Sequence, residues 1–292
     1  MIVAVIALML VPSPARAWGF EAHRLIMDRA IALLPEALRP LFEAHRATLV
    51  ERSIDPDTWR TAGFDQENAN HFLDIDWEGY GPFPFRGLPR DYTAAVEKFG
   101  LDRVRQYGTL PWRIEEFFGN LRRAFRDYGQ RGGAFDQFNV LAHAAALSHY
   151  VSDAHVPFHA VINYDGQLTN QQGLHTRFET TMFERYRDRL TIAPKPAHPI
   201  ADPRDFAFEA IIEGSQLVPA ILKADLDAIG SRDVYDDAYY ASFFAANRAV
   251  LERRLNESIT AVAGVITGAW EAAGKPAVPL EPATAPQRRR KN

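Results

Sequence analysis

The chain of 292 residues contains no cysteine. That excludes a disulfide framework and any thiolate metal site, so a bound metal would be held by His, Asp, Glu or main-chain atoms. Long apolar runs are also missing. The most apolar stretch, Ile2 to Val11, falls well short of the roughly 20 residues a membrane-spanning helix needs. No alternation of apolar and polar residues marks a strand, and no internal repeat recurs. Nor is there an excess of positive charge: the formal net charge is −4, from 33 basic and 37 acidic residues. Setting aside Arg16, Glu281 and the tail cations Arg288, Arg289, Arg290 and Lys291 leaves 28 basic against 36 acidic, so residues 18–280 carry about −8. Such a body is no ready-made binder of long polyanions.

What is present fits a soluble globular chain with ample core material, 47% hydrophobic and 24% charged. Ile2 to Val11, then Pro12, Ser13, Pro14 and the small-residue site Ala15-Arg16-Ala17, reads as a signal peptide over 1–17, without the usual basic start. Cleavage before Trp18 implies an exported protein, periplasmic or secreted. Helical periodicity is expected over 21–34, 36–51, 91–98, 111–128, 135–154, 172–189, 206–223 and 239–273. Residues 53–89 read as a long, aromatic, functional loop, and in the insertion between His71 and His149 Gly81 to Phe85 and Trp112 are candidates for a lipid-facing rim or for core. Residues 18–274 form one all-α domain, a single multi-helix bundle, and the Pro/Ala/Arg-rich segment 275–292 is expected to be a disordered basic tail.

Metal-ligating types recur at helical spacing. His149 and Asp153 are four apart, as are His175 and Glu179, so each pair shares one helix face. Between them lies His159, which Pro157 frees from the helix of His149 to serve a neighbouring position. His23, Asp57 and His71 precede them. If cleavage falls before Trp18, its α-amino group and carbonyl oxygen become a chelate that His23 can complete. Of the remaining histidines, His155 lies close enough to Asp153 to stand beside the cluster or to bond locally.

The ordered set Trp18, His23, Asp57, His71, His149-x3-Asp153-x5-His159 and His175-x3-Glu179 resembles the phospholipase C/P1 nuclease superfamily of trinuclear zinc enzymes. The resemblance implies a helix bundle with three zinc ions at one end. It assigns Asp57, His71, His149 and Asp153 to the first ion, His159, His175 and Glu179 to the second, and Trp18 with His23 to the third. Asp153 would bridge the first and third. It also implies phosphodiester hydrolysis by metal-activated water, with Asp57, Arg60 and Asp153 as catalytic residues.

The substrate branch is divided. Arg60, three residues after Asp57, stands where nucleases grip phosphate, and Phe72 and Asp74 match positions that stack and hydrogen-bond a base. Glu179, by contrast, is the residue used by bacterial phospholipases C, and the acidic body disfavours long nucleic acid. Thr58 and Asn68 occupy positions where choline-specific members carry aromatics, which weakens a choline cage. The balance falls toward phospholipase C-type release of a phosphorylated headgroup, with a single-strand nuclease as the alternative. A helical binding protein using zinc only for stability would lack a carboxylate on the nucleophile side, where Asp57 is present. The expected partner is a phospholipid or single-stranded nucleic acid substrate, with transient contact at a membrane surface and no stable protein partner.

Overall fold

A computed structural model of the chain describes residues 19–283. The signal segment 1–17, Trp18 and the tail residues 284–292 lie outside the described residues. Among the described residues every regular element is helical and there is no strand.

The first helix, α1 (Phe20–Ile31), is followed by α2 (Arg39–Ala44) and α3 (Arg46–Arg52) in place of one helix over 36–51. Pro40, which fits only a helix's first turn, sets the later start. The expected loop 53–89 is partly helical: it holds α4 (Asp55–Thr61), a 3-10 stretch Asp65–His71 and a single turn Glu78–Tyr80. Asp91 then caps α5 (Tyr92–Phe99), its side chain accepting the Ala94 N–H at 2.8 Å, and α6 (Leu101–Gln106) follows.

The centre is a hairpin of α7 (Leu110–Arg131) and α8 (Ala134–Asp153). Phe117, Leu121, Ala124 and Tyr128 recur at helical spacing along α7 and are all buried. The turn between the two helices needs Gly132, whose φ of 66° is left-handed. From Ala144 to Ala160 every residue is buried, so the C-terminal end of α8 sits in the protein interior.

The segment expected as one helix over 172–189 divides into α9 (Leu174–Thr176), a π turn Arg177–Thr181, α10 (Met182–Tyr186) and a 3-10 turn Arg187–Arg189. Likewise 206–223 is two helices, α11 (Pro203–Ser215) and α12 (Val218–Ile229), the second with Pro219 in its first turn. The long α13 (Asp237–Ala272) packs along α1, α7, α8 and α12. Fully buried rings such as Phe125, Phe178 and Phe183 each contribute about 1.5–3 kcal/mol of burial. Gly268 lets the 191–202 connector lie directly on α13, since a Cβ there would fall 1.9 Å from the Ile200 carbonyl oxygen.

The segment 275–283, assigned by composition to the disordered tail, runs against the α7–α8 turn. The Tyr128 hydroxyl donates to the Pro279 carbonyl at 2.6 Å, Gln137 donates to Leu280 O at 2.8 Å, and the Ala283 N–H donates to Gly132 O at 2.6 Å. No helix among the described residues is long and apolar enough to cross a membrane.

Candidate metal centre

Seven chain segments deliver eight ionisable side chains to the C-terminal end of α8. The last turn of α8 carries His149 and Asp153 on one face. α1 brings His23, α4 brings Asp57, and the 3-10 stretch ends on His71. Pro157 redirects the chain after α8 into a short turn, Pro157–Ala160, that presents His159. α9 adds His175 and the π turn adds Glu179. All eight are between 0 and 4% exposed. Burying that many titratable groups is unfavourable unless they are paired or hold a metal.

Asp153 is the hub. Its Oδ2 lies 3.0 Å from His71 Nδ1 and 3.3 Å from His149 Nε2; its Oδ1 lies 3.5 Å from His23 Nε2 and 3.6 Å from His159 Nδ1. The donors form three overlapping groups: His23 with Asp57 and His149, His71 with His149 and Asp153, and His159 with His175 and Glu179. The last brings together the three residues that the resemblance assigns to the second ion. His23, expected beside Trp18, stands stacked on His149 with ring centroids 4.0 Å apart; Trp18 itself lies outside the described residues. His149 Nδ1–H donates to the Ser53 carbonyl at 2.9 Å, which leaves its Nε2 lone pair facing the cluster.

The side chains fit a metal. Buried atoms without a hydrogen-bond partner include both ring nitrogens of His23 and His175, His159 Nδ1, His71 Nε2, Asp57 Oδ2, Asp153 Oδ1 and both Glu179 oxygens. His175 Nε2 and Glu179 Oε1 approach to 2.7 Å without hydrogen-bond alignment, as two donors to one cation would. An all-nitrogen and oxygen set of this kind suits zinc. Burial pushes His159 down to about 3 and His175 down to about 4, so both are neutral imidazoles at neutral pH. Burial, with the charges of Asp153 and Asp57, pushes Glu179 well above the usual carboxylate range. A bound cation reverses that penalty.

Beside the cluster opens a cavity of about 330 Å³, lined by Arg60, His71, Phe72, Asp74, His159 and His175 among others. The structure thus brings all three candidate substrate residues, Arg60, Phe72 and Asp74, to the mouth of the cluster. Arg60 Nη2 donates to Asp57 Oδ1 at 2.9 Å. Burial and the neighbouring Asp76 push Asp74 up to about 7. Of the proposed rim, Trp112 is core and donates its indole N–H to Arg90 O, while Phe83 is exposed. His155 is buried and bonded locally to Val151 O at 2.8 Å.

Two neighbours of the cluster escaped the sequence reading. Asp165 accepts the backbone N–H groups of Gly173 and His175 at 2.9 and 3.2 Å, shaping the entry to α9. Glu67 lies buried with its Oε1 3.7 Å from His71 Nε2. The same four-residue spacing that singled out His149 and Asp153 could have found it.

A family described as zinc dependent phospholipase C matches residues 22–218. The match spans every cluster residue from His23 to Glu179. No curated protein matches the chain. With two thirds of its length matched, the chain belongs to the zinc dependent phospholipase C family, within the phospholipase C/P1 nuclease superfamily.

Proposed function

We propose that the chain is an exported phospholipase C-type enzyme that releases a phosphorylated headgroup and a diacylglycerol from a phospholipid. The supporting observation is the convergence of eight buried metal-donor side chains on the cavity that Arg60, Phe72 and Asp74 line. Zinc ions held by these side chains, three by the resemblance, would supply Lewis acidity toward water and the phosphoryl oxygens. The chain's own residues do the rest. The guanidinium of Arg60 donates to non-bridging phosphoryl oxygens at the cavity mouth. Asp57, whose Oδ1 is held by Arg60, turns its Oδ2 into the cluster, where it would both hold metal and orient the attacking water. Asp153 orients His23, His71, His149 and His159 around one carboxylate. Water adds at phosphorus, the bond from phosphorus to the glycerol oxygen breaks, and the proton passes to that oxygen.

A second reading, single-strand nuclease action, is supported by Phe72 and Asp74 lining the same cavity. Parallel hydrolysis of phosphatidylcholine, phosphatidylethanolamine and single-stranded DNA by zinc-loaded protein, with an EDTA control, separates the two. Diacylglycerol release without DNA cleavage is the expected result; DNA cleavage without lipid turnover transfers the assignment to the nuclease branch. Export and the role of Trp18 are tested by N-terminal sequencing of protein recovered outside the cytoplasm. The expected first residue is Trp18, and any retained preceding residue removes its amino group from the third site.

A further inference from the structure

Glu67 is a buried carboxylate beside the metal centre with a full set of donors of its own. Its Oε2 accepts from Arg113 Nη2 at 2.9 Å and from Asn70 Nδ2 at 3.0 Å, and its Oε1 accepts from the Tyr150 hydroxyl. The Asn70 amide is oriented in turn by the Thr109 hydroxyl, which donates to its oxygen at 2.8 Å. Arg113 lies over the rings of Phe117 and Tyr150, at 4.6 and 5.2 Å. A carboxylate gripped this way is fixed in place.

Across from it, the two ring nitrogens of His71 face different surroundings. Nδ1 points into the cluster, 3.0 Å from Asp153 Oδ2, 3.1 Å from His149 Nε2 and 3.9 Å from Asp57 Oδ1. Nε2 is buried without a hydrogen-bond partner, 3.7 Å from Glu67 Oε1. A neutral imidazole has one N–H and one lone pair. If Nδ1 gives its lone pair to a metal, the proton resides on Nε2 and needs an acceptor. A tilt of less than about 1 Å brings Nε2 within hydrogen-bond range of Glu67.

We propose that Glu67 is a positioning residue: its carboxylate, held by Tyr150, Arg113 and Asn70, accepts the Nε2–H of His71 and so fixes the tautomer and tilt that present Nδ1 to the metal. The inference rests on the zinc-binding reading given above. Such an acceptor behind a metal-binding histidine typically contributes ~10–100-fold to metal affinity.

The test combines equilibrium dialysis, chelator competition and ¹⁵N-histidine NMR on the whole zinc-loaded protein. The expected spectrum shows His71 protonated at Nε2, with a slowly exchanging, downfield proton. Glu67→Gln should weaken zinc binding ~10–100-fold and shift that proton upfield, whereas Tyr150→Phe, which leaves the carboxylate, should shift the proton with a smaller loss of affinity. The spectrum of the unsubstituted protein needs no variant, so a Glu67→Gln chain that fails to fold does not remove the test. A proton on Nδ1, or a folded Glu67→Gln with unchanged affinity and spectrum, overturns the role of Glu67 and leaves the zinc reading standing. Absence of zinc binding by the unsubstituted protein overturns both.

Discussion

Asp153 Oδ2 lies 3.0 Å from His71 Nδ1, a contact between residues 82 positions apart that joins the end of α8 to the end of the 65–71 stretch. The same carboxylate faces His149, His23 and His159, so one side chain organises donors from its own helix and from three other segments of the chain. Asp153→Asn keeps the volume but removes the charge. We expect loss of bound zinc and a fall in phosphodiester turnover of at least about 100-fold, measured by metal analysis alongside kinetics. Undiminished turnover would refute the hub role.

Arg60 donates to Asp57 and borders the cavity. A hydrogen bond to a charged group is worth about 1.5–3 kcal/mol, so Arg60→Ala should lower kcat/KM roughly 10–100-fold while zinc content stays constant. If kcat/KM is unchanged, phosphate is gripped elsewhere.

Glu179 gives a prediction of opposite sign in the two metal states. Burial and the charges of Asp153 and Asp57 raise its pKa, so without metal its ionisation opposes folding as pH rises above the ordinary carboxylate range. Glu179→Gln should therefore raise the Tm of chelated protein at neutral pH and lower the Tm of zinc-loaded protein. Two differential-scanning melts per variant decide it, and shifts of the same sign in both states would count against Glu179 as a zinc ligand.

How much of this was legible in the chain depended on whether spacing or tertiary contact made the feature. His149 with Asp153 and His175 with Glu179 follow from four-residue spacing, and α8 was visible as a strongly apolar helical segment over 135–154. The π turn Arg177–Thr181 was not legible, because a single i→i+5 turn of five residues is too short to leave its own period in the apolar pattern. α4 was hidden inside an apparent loop because seven residues give too few turns for periodicity to register. Pro40 and Pro219 both sat within expected helices and both start new ones, a rule of local geometry that the apolar pattern outweighed. The ordered path of 275–283 depends on Tyr128 and Gln137, more than a hundred residues earlier, and leaves no local trace.

Asp74 carries the pH prediction. Its folded pKa of about 7, raised by burial and then by Asp76, exceeds the ordinary carboxylate value of about 3.9. Between those values the folded state holds a proton that the unfolded state has lost, so stability falls as pH rises through this window and levels off above it. Compared under identical conditions, Asp74→Asn should gain on the natural protein from about pH 5 to pH 7, by an amount on the order of a few kcal/mol, with no further gain to pH 8. A stability difference that is flat across pH 5–8 would contradict the buried, proton-holding state of Asp74.

Metal analysis coupled to activity decides whether the eight buried donors hold zinc for phosphodiester hydrolysis. Protein dialysed to equilibrium should retain three zinc ions per chain, hydrolyse a chromogenic phosphodiester, lose that activity in step with zinc removal by EDTA and recover it when zinc is restored. Full hydrolysis by a chain stripped of all metal, or no retained zinc in a correctly folded chain, would contradict it.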